Sequence, residues 1–180
     1  MEFLQTSLPG LLIIKPDVFG DERGYFFESY NRVKFAAAGL EMEFLQDNES
    51  KSKRGVLRGL HFQAPPFAQG KLVRVMRGAV MDVAVDIRKG SPTYGKSESI
   101  VLSGENKTMF WIPPGFAHGF VTLEDDTVFV YKCTNVYDKA SEGSIVWNDP
   151  DLGIDWGIEN PLVSEKDAAC PRFRDVVSPF

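Results

Sequence analysis

Two histidines, His61 and His118, are the only residues of this 180-residue chain whose side chains ordinarily titrate near neutrality. His61 sits in the stretch from Arg54 to Gly78, RGVLRGLHFQAPPFAQGKLVRVMRG, with Lys71 ten residues beyond it. Between Lys51 and Met81 there are seven basic residues (Lys51, Lys53, Arg54, Arg58, Lys71, Arg74 and Arg77) and no acidic one. The whole chain has 20 Lys and Arg against 25 Asp and Glu, so this stretch runs against the overall balance. A local positive field in an acidic protein favours a small anionic ligand over a long polyanion. The same charges also fit the solvated Lys and Arg that guard an edge strand.

Taken singly, each candidate has an ordinary structural role beside its chemical one. His61 lies between Leu60 and Phe62, the setting of a buried, hydrogen-bonded histidine, yet it shares the basic stretch with Arg58. His118 belongs to the tight loop Pro113–Gly119 (PPGFAHG), where a structural and a ligand-contacting role fit equally. Lys71 enters a strand after Gly70 and can snorkel along its surface. Tyr131, among Val128, Phe129 and Val130, fits a core aromatic with a bonded hydroxyl. Asp167 follows Ser164 by three residues, the spacing of a helix-capping box. A jelly-roll metal site takes two or three histidines and a carboxylate; two distant histidines in no His-x-His pair give no such constellation. Gly90–Ser97 (GSPTYGKS) satisfies the phosphate-loop pattern G-x-x-x-x-G-K-[ST]. That chemistry needs a helix starting at the lysine, and the run that follows, ESIVLSG, reads as a strand, so a turn is the better account.

The elements that must position these residues are mostly strands. Leu11–Lys15 and Tyr25–Ser29 read as extended, joined by a polar connection over Asp17–Gly24. Asn31–Ala38 is the one long helical candidate, stopped by Gly39. Phe44–Asn48 is extended and Glu49–Lys53 reads as a polar loop. Val73 and Val75 alternate with Arg74. Met81, Val83, Val85 and Ile87 alternate with Asp82, Ala84, Asp86 and Arg88, the period of a sheet with one buried face. Ser99–Leu102, Lys107–Ile112, Gly119–Leu123 and Thr127–Thr134 continue the series between turn residues. After Trp147 the chain is turn-rich and ends with a helical turn near Ser164–Ala169. Many short strands at close spacing predict an all-β, double-sheet jelly roll with a few short helices.

The length predicts a single domain over residues 1–180. No apolar run approaches the roughly 20 residues that cross a bilayer, and no secretory leader precedes Leu11–Ile14, so a cytoplasmic location is expected. Cys133 and Cys170 have neither metal-type nor redox-type spacing and are expected as free thiols.

Six dispersed motifs stand in this order: Arg23-Gly-Tyr-Phe-Phe-Glu28, Gln46-Asp-Asn48, Arg58-Gly-Leu-His61-Phe-Gln63, Gln69-Gly-Lys71-Leu-Val, Pro113-Pro-Gly-Phe-Ala-His118-Gly-Phe and Ser164-Glu-Lys-Asp167. Together, from about Pro9 to Asp175, the chain resembles the dTDP-4-dehydrorhamnose 3,5-epimerases. The resemblance implies a cupin-like jelly roll needing no metal or other cofactor, working as a homodimer on a dTDP-4-keto-6-deoxy sugar. Neither a nucleic-acid nor a membrane partner is implied. His61 is then the base, Asp167 its partner, Lys71 the charge that stabilises an enolate and Tyr131 the acid on the opposite face. Arg23, Arg58 and Lys166 address the diphosphate, and Gln46 and Asn48 bond sugar or nucleotide edges. Glu28 and Glu142 anchor thymidine or ribose, Phe19 and Tyr137 stack on the base, and His118 bonds the sugar or the enolate region. Phe67 departs from the pattern, standing where a polar residue is expected. The alternatives are a mono-epimerase acting at C3 or C5 only, a non-catalytic sugar-nucleotide-binding protein, and a metal-dependent cupin oxygenase.

Overall fold

The computed structural model describes residues 1–180. Thirteen strands and two short helices follow one another: β1 (Glu2–Gln5), β2 (Leu12–Lys15), β3 (Val18–Asp21), β4 (Gly24–Phe27), α1 (Arg32–Ala37), β5 (Gln46–Ser52), β6 (Leu57–Gln63), β7 (Lys71–Arg77), β8 (Ala79–Asp86), β9 (Ser97–Ser103), β10 (Met109–Ile112), β11 (Phe116–Thr122), β12 (Thr127–Cys133), β13 (Glu142–Ser144) and α2 (Glu165–Ala168). They form a six-stranded sheet, β1-β2-β10-β7-β12-β5, and a five-stranded sheet, β13-β6-β11-β8-β9, with β3 and β4 as a separate hairpin. All of these strand pairings are antiparallel. This is a double-sheet, cupin-like jelly roll.

Its interior divides into an apolar and a polar part. Val73, Val75, Phe110 and Phe129 of one sheet meet Val80, Ala84, Leu102 and Phe120 of the other in one buried cluster. The outer faces are covered as well. Leu57, Leu60, Val83 and Val121 pack beneath Leu152, Trp156 and Phe173 of the C-terminal segment. Leu12, Ile14, Leu72 and Trp111 pack beneath Phe35 of α1. Asn31 caps that helix, its side chain accepting from the amides of Val33 and Lys34, and Gly39, at φ 82°, follows the cap residue Ala38.

The observed fold corrects three sequence expectations. In β8 the alternation was expected to mark one buried face, yet Asp82 and Asp86 are both completely buried. The inner partner of Asp82 is His118. Asp86 accepts from Arg88, Ser91 and Thr93; burial pushes its carboxyl up, but these bonds outweigh it and hold it at about 2. The loop with the phosphate-loop pattern therefore turns its hydroxyls onto a carboxylate, and the chain continues from it into β9 with no helix.

Glu49–Lys53, expected as a loop, is mostly strand, because β5 runs unbroken from Gln46 to Ser52. Its partners on β12 show alternate residues Gln46, Asn48, Ser50 and Ser52 sharing one side. Both faces are polar, so the period of two carries no hydropathy signal. The basic stretch is no edge strand either: β7 lies between β10 and β12, and β6 between β13 and β11.

Candidate active site

The polar part of the interior is built mainly from β5, β6, β7, β11 and β12, with α2 closing one side. β6 and β11 pass unusually close, because a Cβ on Gly59 would lie 2.5 Å from the Gly119 Cα. Gly59, at φ 133°, takes a conformation open to glycine alone. That passage coincides with an irregularity in the register between His118 and Phe120, and it leaves His61 directly opposite His118.

Each histidine holds a carboxylate. His61 Nε2 lies 2.7 Å from Asp167 Oδ1, and the other oxygen of Asp167 accepts from the Gly59 amide at 3.4 Å. Asp167 comes from α2, where its own amide donates to the Ser164 side chain. The expected helix cap is thus real, but it uses the backbone and leaves the carboxylate for His61. His118 Nε2 lies 3.0 Å from both oxygens of Asp82 on β8, and its ring stacks on Phe129.

Lys71 opens β7 and Tyr131 lies on β12, with the Lys71 ammonium 5.8 Å from the centre of the Tyr131 ring. Burial pushes the Lys71 ammonium down from its ordinary range, and no carboxylate neutralises it directly. Burial pushes the Tyr131 phenol up, so it keeps its proton at neutral pH. Burial also pushes the His61 imidazole down, against the opposing pull of Asp167, so His61 is neutral and able to accept a proton at pH 7.

These groups face two adjoining clefts of about 360 and 290 Å³. His61, Lys71, Tyr131 and Asn48 line both. Arg58, His118, Lys166 and Asp167 line the larger one, and Gln46, Tyr137 and Glu142 the smaller. Glu142 accepts from Lys166 at 2.6 Å and from the Tyr137 hydroxyl at 3.0 Å, tying β13 to α2. Arg58 donates to Ser52 at 3.3 Å.

Phe19, Arg23 and Glu28 do not join this cavity. Phe19 and Arg23 lie on the exposed β3–β4 hairpin, where Arg23 pairs with Asp21. Glu28 accepts from Asn31 and pairs with Lys34 beside α1. Sequence reasoning missed Asp82, Gln63 and Gln69. Asp82 looked like the outward half of an alternating strand. Gln63 and Gln69 lay inside motifs, but a neutral amide carries no charge pattern to single it out. No cluster of three or more His, Cys, Asp or Glu side chains is arranged to hold a metal ion.

An imidazole with a bonded carboxylate, a protonated phenol and an ammonium around one cavity are groups suited to moving protons, the equipment of an isomerase set in a jelly roll. The comparisons with known proteins agree. The family model for dTDP-4-dehydrorhamnose 3,5-epimerase matches residues 5–175. A protein of that name from Salmonella typhimurium is 57% identical over 173 residues, covering 95% of this chain and 94% of its own. The solved epimerase of Legionella pneumophila, in complex with dTDP-4-keto-L-rhamnose, superposes with a TM-score of 0.94 at 49% identity, covering 98% of this chain and 94% of its own. ChmJ, a 3'-monoepimerase from Streptomyces bikiniensis, superposes at 0.89 with 37% identity, covering 93% and 85%. The chain belongs to the dTDP-4-dehydrorhamnose 3,5-epimerase family.

Proposed function

We propose that this protein converts dTDP-4-dehydro-6-deoxy-D-glucose to dTDP-4-dehydro-L-rhamnose, inverting C3 and C5 in dTDP-L-rhamnose synthesis. The observation that carries this reading is the His61–Asp167 pair, 2.7 Å apart, in a cavity that Lys71 and Tyr131 also line. The ketone at C4 acidifies the hydrogens on C3 and C5. Neutral His61 removes one as a proton, and Asp167 fixes its tautomer and stabilises the imidazolium that forms. Negative charge gathers on the C4 oxygen, where the Lys71 ammonium stabilises the enolate. Tyr131 returns a proton to the opposite face. Once the His61 imidazolium has lost its proton to water and the Tyr131 phenolate has regained one, a shift of the ring lets the same base and acid serve the second carbon.

Arg58 and Lys166, in the larger cleft, suit the diphosphate, and Tyr137 in the smaller one suits the base. Phe19, Arg23 and Glu28 complete this reading through a homodimer. They line neither cleft of their own subunit, and the hairpin exposes Phe19, Tyr25 and Phe26 at 66%, 59% and 70%. Exposed aromatics of this size favour a covering partner. We read the chain as one domain working in the cell interior, a reading that two free cysteines favour; no helix is long and apolar enough to cross a membrane.

The likeness to ChmJ favours one second reading, a mono-epimerase with the same base. Proton NMR of the dTDP-4-keto sugar with the protein in deuterated water separates the two. Deuterium at both C3 and C5, with the L-sugar trapped by a downstream reductase, is the expected result. Deuterium at one carbon supports the mono-epimerase, and none at either overturns both.

A further inference from the structure

Three glutamines hold the backbone of one short segment. Gln46 Oε1 accepts from the Tyr137 amide at 2.8 Å. Gln63 Oε1 accepts from the Asp138 amide at 2.7 Å, while its Nε2 donates to the carbonyls of Val136 at 3.1 Å and Phe67 at 2.7 Å. Gln69 Nε2 donates to the Asn135 carbonyl at 2.8 Å. Each residue from Asn135 to Asp138 is held by a glutamine amide, in a segment that belongs to no helix or strand. Surface loops ordinarily leave such groups to water. Here Gln63, only 6% exposed, is used to fix them.

The side chain at the centre of that segment is Tyr137. Its ring is 53% exposed and lines the smaller cleft beside His61 and Lys71, with its hydroxyl on Glu142. An exposed aromatic on an immobilised backbone loses little freedom when a flat ligand stacks on it. Gln46, expected to contact the ligand, also spends its Oε1 on this segment, while its Nε2 donates to Asn48 at 3.0 Å. It thus helps to hold the same segment.

We propose that Gln63 and Gln69 are positioning residues for nucleotide recognition, holding Asn135–Asp138 so that the Tyr137 ring stands ready to stack on the substrate's base. The inference rests on the sugar-nucleotide reading above. It predicts an effect on binding rather than on chemistry, because the segment touches neither His61 nor Asp167 through these bonds.

The test measures dTDP affinity by calorimetry, together with kcat and KM, for the wild type, Gln69→Ala, Gln63→Leu, Tyr137→Ala and the double variant Gln69→Ala/Tyr137→Ala. Gln69→Ala should raise both the dTDP dissociation constant and KM by about 5- to 10-fold, with kcat changed less than about twofold. On the Tyr137→Ala background the same substitution should add less than about twofold, because its effect passes through the ring. Gln69 is half-buried and makes one bond, so its variant carries the test even where Gln63→Leu fails to fold. Unchanged dTDP affinity in Gln69→Ala, or a full additional loss on the Tyr137→Ala background, overturns the inference. A wild type that neither binds dTDP nor exchanges carbon-bound hydrogen overturns the functional reading instead.

Discussion

His61 and His118 face each other across β6 and β11, and each binds a carboxylate, but the two pairs are built differently. The His118 ring is 7% exposed and its Asp82 comes from the neighbouring strand, so both partners are set by the sheet itself. The His61 ring is 29% exposed, and its Asp167 arrives from a four-residue helix more than a hundred residues away. A pair locked inside a sheet makes a fixed donor or acceptor. A pair that opens on the cavity, with a carboxylate supplied from outside the sheet, can take a proton from a ligand and release it. The same two residue types thus acquire different chemistry from access and from the element that brings the carboxylate.

Substitutions should separate the two pairs. The largest effect belongs to His61→Asn, where loss of the proposed base should lower kcat by about 10³-fold, within the range of general-base contributions. Lys71→Met comes next, with kcat down by roughly 10²-fold from loss of the charge proposed to stabilise the enolate. The same variant should melt higher than the wild type. Burial places the Lys71 ammonium below its unfolded value, so at neutral pH the charge opposes folding and its removal relieves that cost. Thermal melts beside steady-state rates check both halves.

Stability should divide the pairs in the other direction. Asp82→Asn weakens the bonds of a buried pair and should cost about 2 kcal/mol, whereas Asp167→Asn, whose histidine reaches the cavity, should cost about 1 kcal/mol. Denaturant titration of the two variants decides it, and the reverse order would break the comparison. The smallest effect is a shift in pH dependence. Burial holds His61 below its ordinary 6.5, and the proposed base acts only as the neutral ring, so kcat/KM should fall as pH drops through a midpoint below 6.5. Asp167→Asn removes the charge that opposes burial and should move that midpoint lower still. At the alkaline end kcat/KM should fall as Lys71, displaced downward by burial, loses its proton.

The jelly roll was legible because its apolar strands alternate with turns at short intervals. Where alternation failed as a guide, the cause differed between the two strands. β8 hides two aspartates because the C-terminal segment packs on one face and the interior on the other. β5 hides its strand character because a polar cavity makes its inner face look like solvent. His61, Lys71, Tyr131 and Asp167 stood out only as a set, since each alone has an ordinary role. The Gly90–Ser97 pattern fails in the opposite way: its residues match a phosphate loop, but Ser91 and Thr93 donate to Asp86 and the chain runs on into β9 with no helix to hold a phosphate.

The difference between the two histidines is tested most directly by deuterium uptake at C3 and C5 in His61→Asn and His118→Asn, each first shown to bind dTDP. His61→Asn should bind dTDP within about threefold of the wild type and take up essentially no deuterium, since proton transfer and nucleotide binding use different groups. His118→Asn should retain measurable uptake at both carbons. Uptake at a near-normal rate in His61→Asn, or its complete loss in His118→Asn alone, would contradict the assignment of the base to His61.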